Sequence, residues 1–132
     1  TSGGHNVAPE GIEVALKSDR LVAHACLVGE ARPYLTALLV LDGEEAPTWA
    51  ESQGLPYEDL ASFSALPRVK TEIDRLVDEV NSNLARAEQV KKWVIVEHEW
   101  GPETGEITPS LKVKRTVVLQ KYQEAIDALY RE

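Results

Sequence analysis

The chain has 132 residues, of which 22 are acidic and 14 basic, for a formal net charge of −8. That balance excludes a nonspecific nucleic-acid binder, because no basic face large enough to neutralise many phosphates can be assembled. One domain of this length can bury roughly two-thirds of its unfolded surface, the lone Cys26 cannot form an internal disulfide and points to a reducing, cytoplasmic setting, and no apolar run approaches the ~20 residues that span a bilayer.

The opening, "TSGGHNVAPE", has neither the basic start nor the apolar stretch of a signal peptide. It begins inside a glycine-rich turn without an initiator methionine, and we expect it to be cut from a longer polypeptide. "GGHN" lacks the glycine spacing of a P-loop or a dinucleotide fingerprint. Unaided, it reads as a turn using positive φ at Gly3 or Gly4. Pro9 suits a first helical position, and Ile12, Ala15 and Leu16 give the short helix that follows an apolar stripe.

"LVAHACLVGE" (21–30) and "YLTALLVLD" (34–42) predict two adjacent antiparallel strands joined through "GEARP". Residues 43–68, with a short helix around "APTWAESQG", read as a surface connection. From Val69 the apolar residues Ile73, Leu76, Val77, Val80, Leu84 and Ala87 keep the 3.6 period of an amphipathic helix to about Glu88. "KWVIVEHEW" (92–100) predicts a third strand, "GPETGEIT" a polar turn, and Val118, Tyr122, Ala125, Ile126 and Leu129 a C-terminal helix. The expected fold is α+β: a sheet of about three strands flanked by helices, with an additional C-terminal helix.

His24 and Cys26 share one strand face, but no set of three or four ligands at zinc spacing accompanies them, so a half-buried histidine beside a buried cysteine is the simpler reading. The acidic runs read as solvated faces. "TPSLKVKR" (108–115) stands apart, because Lys112, Lys114 and Arg115 gather in four positions of an acidic chain. These cations could simply point to water. Yet at a predicted helix start they face the positive end of the dipole, at a cost of a few tenths of a kcal/mol each, so the cluster also reads as a place for phosphate or carboxylate oxygens.

Read together, "TSGGHNVAPEGIE" and "EITPSLKVKR" resemble the two motifs of the C-terminal domain of AMP-forming acyl-CoA synthetases, members of the adenylate-forming superfamily. The first resembles the glycine-bearing segment after the interdomain hinge, the second the lysine motif near the C-terminus. The Thr-Pro-small-Leu-Lys-x-Lys-Arg form and the long stretch before "EQVKKWVIV" are similar to the long-chain fatty acid branch, and the resemblance covers the whole chain. It implies that Lys112 is the catalytic lysine of adenylation, with Lys114 the only rival, and that Lys114 and Arg115 meet phosphate. It implies that Gly3, Gly4, His5 and Asn6 form the coenzyme A side. Leu111 departs from the pattern, standing where a glycine is common.

The implied reaction is ATP + fatty acid + CoA → acyl-CoA + AMP + pyrophosphate. ATP and Mg2+ would be bound mainly by an N-terminal adenylate-forming domain, the partner of this chain, which would be inactive without it. The resemblance is compatible with peripheral membrane association of the full-length enzyme. Two other readings are a noncatalytic α+β binding or regulatory module, and an adenylate-forming enzyme that uses another acid or a carrier-protein thiol.

Overall fold

The computed structural model describes residues 8–131. Three strands form one sheet in the order β1 (Val22–Val28), β2 (Leu35–Leu41), β3 (Val90–Val96). β1 and β2 are antiparallel, with Val28 opposite Thr36 and His24 opposite Val40; β2 and β3 are parallel, with Ala37 opposite Trp93 and Val40 opposite Val96. The central strand β2 is buried at all seven positions, as a strand covered on both faces is; its one polar residue, Thr36, donates its hydroxyl to Tyr130 Oη at 3.0 Å.

The two-residue alternation of β2 divides the interior. Leu35, Ala37, Leu39 and Leu41 enter one cluster with Ile12, Leu16, Ile73 and Leu76, whereas Leu38 and Val40 enter another with Cys26, Val96, Val118 and Ile126. Helices α1 (Pro9–Leu16) and α4 (Pro67–Asn81) therefore cover one face, and α5 (Arg115–Lys121) and α6 (Gln123–Leu129) the other. No helix among the described residues is long and apolar enough to cross a membrane.

Four expectations need correction. Residues 43–68 are more than a surface connection: α2 (Glu45–Ser52) and α3 (Leu60–Ser64) deliver Ala46, Ala50 and Phe63 into the first cluster, where Trp49 meets the Phe63 ring edge-on at 5.9 Å. α4 stops at Asn81 rather than near Glu88, because the Asn81 side chain leaves the helical pattern to grip β3. It accepts from Val90 N and donates to Val90 O, both at 2.8 Å. The predicted C-terminal helix is broken at Tyr122 (φ −107°, ψ 22°) into α5 and α6. The third strand also ends at Val96, four residues before Trp100.

Phe63, 1% exposed, tests whether the connection belongs to the core. Phe63→Ala is expected to destabilise the chain by about 3–5 kcal/mol, as in other buried aromatic truncations. Urea unfolding measures it, and a loss under 1 kcal/mol would return residues 43–68 to the surface.

Candidate functional site

The basic stretch forms a small hairpin. Ile107 and Val113 make an antiparallel bridge. Lys114 N donates to Glu106 O at 2.7 Å, and Thr108 N to Lys112 O at 2.8 Å. Across the tip, Leu111 N donates to Thr108 O at 2.8 Å, and the Thr108 hydroxyl accepts from Lys112 N at 3.0 Å. Pro109 fits the second position of such a turn, since its fixed φ is already correct there. Leu111 has φ +66°, the left-handed conformation that glycine adopts without steric cost. Its departure from the common glycine thus leaves the turn intact, with its side chain in solvent at 67% exposure.

Lys112 and Lys114 are exposed on this hairpin, and neither forms an ion pair with a described residue. Arg115 is placed differently. Its Nη2 donates to both carboxylate oxygens of Glu13, at 2.9 and 2.8 Å, and its Nη1 donates to the carbonyl of Leu27 at 2.7 Å. The guanidinium therefore turns back onto α1 and β1. Glu13 is itself buried and accepts from Leu27 N at 2.6 Å through Oε2.

The other leg of the hairpin is anchored by Glu106, which is 0% exposed. Its Oε2 accepts from Lys121 Nζ at 2.8 Å and from the Tyr122 hydroxyl at 2.6 Å. Tyr122 in turn accepts from Trp100 Nε1 at 2.9 Å, and His98 Nε2 lies 3.1 Å from the same hydroxyl. Burial by itself would raise the Glu106 carboxyl, but the donors around it, Lys121 foremost, outweigh that and hold it at about 2. Burial and the Glu106 charge push the Tyr122 phenol upward, so Tyr122 keeps its proton and donates it. The break between α5 and α6 falls on this tyrosine.

Of the residues singled out in the sequence, Gly3, Gly4, His5 and Asn6 lie outside the described residues. Lys112, Lys114 and Arg115 share one hairpin, with the lysines outward and the arginine inward. His24 stacks on Trp100 at 6.1 Å, and burial, followed by the Lys17 charge, lowers its affinity for a proton. Cys26 is fully buried, which pushes its thiol up to about 11 despite Arg115 nearby. A groove of about 690 Å3 opens beside Arg115, bounded by Pro9, the turn through Ala31 and the α5–α6 side chains Thr116, Gln120 and Gln123.

Sequence reasoning missed Glu13, Glu106, Trp100 and Tyr122. One signal was available for Glu13. It lies three residues before Leu16, on the apolar face of a helix, where a charge must find a partner.

With this geometry in view, the comparisons are consistent. Residues 1–132 match the family described as the AMP-binding enzyme C-terminal domain, and the chain belongs to it. It is 36% identical over 136 residues to the long-chain-fatty-acid–CoA ligase FadD15 of Mycobacterium tuberculosis, covering 100% of this chain and 22% of that protein. It is 32% identical over 150 residues to the human long-chain-fatty-acid–CoA ligase ACSBG1, again over 100% of this chain and 21% of the relative. The chain thus spans about a fifth of the length of these relatives. Among solved structures, the adenylation domain of a carboxylic acid reductase from Segniliparus rugosus, bound to AMP and a co-purified carboxylic acid, shares the fold. Its TM-score is 0.74 at 23% identity, over 98% of this chain and 19% of that one.

The Glu106 anchor predicts an acid-sensitive domain. Its folded-state pKa is depressed, from 4.5 to about 2, so its contribution is complete above pH 4.5 and is lost as pH falls toward 2. The size is on the order of 3 kcal/mol. Thermal melts across that window should show stability falling in the parent chain, with a flatter profile and a lower plateau for Glu106→Gln. Parallel profiles would remove Glu106 as the cause.

Proposed function

We propose that this chain is the mobile C-terminal domain of an AMP-forming long-chain fatty acid–CoA ligase, and that Lys112 is its adenylation lysine. The observation that carries the reading is the position of Lys112: exposed and unpaired among described residues, at the tip of a hairpin clamped on both legs. The family membership and the relatives named above support the same reaction.

In the first half-reaction a fatty carboxylate oxygen attacks the α-phosphorus of ATP and pyrophosphate departs. Two anions must approach while charge builds on phosphoryl oxygens. An ammonium on a four-carbon stem can reach carboxylate and phosphate together, which a broad guanidinium cannot do as compactly. Lys114, on the same hairpin, is assigned to the nucleotide phosphates. Arg115 is left out of that role because Glu13 and Leu27 engage its donors.

In the second half-reaction the thiol of coenzyme A attacks the acyl carbonyl and AMP leaves. We assign the coenzyme A side to Gly3, Gly4, His5 and Asn6, presented when the domain rotates on its hinge and withdraws Lys112. ATP, the acyl chain and Mg2+ are assigned to the larger N-terminal domain. Among the described residues no group of His, Cys, Asp or Glu side chains gathers around an ion site. The lone buried thiol fits a cytoplasmic enzyme, and docking of the full-length enzyme on a membrane surface is compatible with it.

Two variants of the full-length enzyme test the assignment. Lys112→Ala should lower adenylation, followed by pyrophosphate release, by about 100- to 1,000-fold, while thioester formation from supplied acyl-adenylate persists. Equal loss in both half-reactions would remove Lys112 from the role. Gly4→Leu should do the reverse, slowing transfer to coenzyme A and sparing adenylation, because a narrow channel along backbone has no space for a branched side chain. Normal transfer in that variant would detach Gly4 from the coenzyme A path.

A further inference from the structure

The lysine hairpin lies near one end of the chain and α1 near the other, yet one ion pair joins them. Glu13 sits in the second turn of α1, the helix that follows Gly3–Asn6 in sequence. Arg115 follows Lys112 by three positions and opens α5. Their contact is bidentate, at 2.8 and 2.9 Å, across 102 residues of sequence. Both partners also bind the same residue of β1: Leu27 donates its N–H to Glu13 at 2.6 Å and offers its carbonyl to Arg115 at 2.7 Å.

Leu27 lies in an edge strand, paired only with β2. Its backbone N–H and carbonyl on the open side would need partners in any case, because buried backbone groups are paired almost without exception. The pair fills that need, and it does so with charged groups, which make the shorter and stronger hydrogen bonds. Glu13 is buried, so removing Arg115 would leave an uncompensated charge beside the sheet.

We infer that Glu13 and Arg115 act as one positioning strut, tying the lysine hairpin to α1 and to the edge of the sheet so that Lys112 is presented from a fixed base. The strut touches no substrate and acts through Lys112. This rests on the reading of Lys112 as the adenylation lysine. It reassigns Arg115 from the phosphate to the frame that aims Lys112.

The test is a double-mutant cycle in the full-length enzyme: Glu13→Gln, Arg115→Gln and both together, with Arg115→Lys as a milder variant if Arg115→Gln fails to fold. Circular dichroism and thermal melts first establish that each variant is folded at the assay temperature. The strut predicts that each single change lowers kcat for adenylation by about 10- to 100-fold, since an ångström of misplacement has effects of that size. The KM for ATP should stay within about twofold, and the double variant should be no worse than the worse single one. A rise in the KM for ATP with Arg115→Gln, with Glu13→Gln silent, would overturn the strut and make Arg115 a phosphate ligand. Additive losses, or wild-type rates in all variants, would also overturn it. If Lys112→Ala itself leaves adenylation intact, the parent reading fails separately, whatever the cycle shows.

Discussion

The whole arrangement depends on burying β2 on both faces. A strand with no solvent side must pair both backbone edges and pack alternate side chains into two separate interiors. β1 and β3 supply the edges. α1 and α4 close one interior and α5 and α6 the other. Both the hairpin and α1 are hung on this plate: the lysine hairpin rests on the second interior through Ile107, and α1 rests on the first through Ile12 and Leu16.

The hairpin itself is too small to be stable alone, since one bridge and one tight turn cannot offset the ordering of its residues. It is held by its flanks. Glu106 on the entering leg is buried beneath Lys121 and Tyr122, and Arg115 on the leaving leg is tied to Glu13 and β1. Between these anchors, Lys112 has a fixed base and a long, unpaired stem. The proposed adenylation lysine needs both: a base that sets direction, and reach without a competing local carboxylate.

Local signals in the sequence carried far. The period of Val69, Ile73, Leu76, Val77 and Val80 marked α4, and the Val/Leu/Ala runs marked β1 and β2. What stayed hidden depends on distant partners. Nothing local fixes β3 as parallel to β2, because the pairing spans a crossover through three helices. The period past Asn81 continued through Leu84 and Ala87, but the Asn81 amide found Val90 instead. Apolar spacing likewise ran across Tyr122, where a hydroxyl bonded to Glu106 marks the break between helices. Glu13 and Glu106 look like surface charges in one dimension, since the donors that make their burial tolerable arrive from 102 and 15 residues away.

The single thiol of Cys26 has a further consequence. It is sealed in the second interior with Arg115 Nη1 at 3.6 Å, and its proton is held up to about 11. Its burial keeps a thiol-alkylating reagent away while the native packing holds, so the rate of labelling at Cys26 reads local opening of this interior.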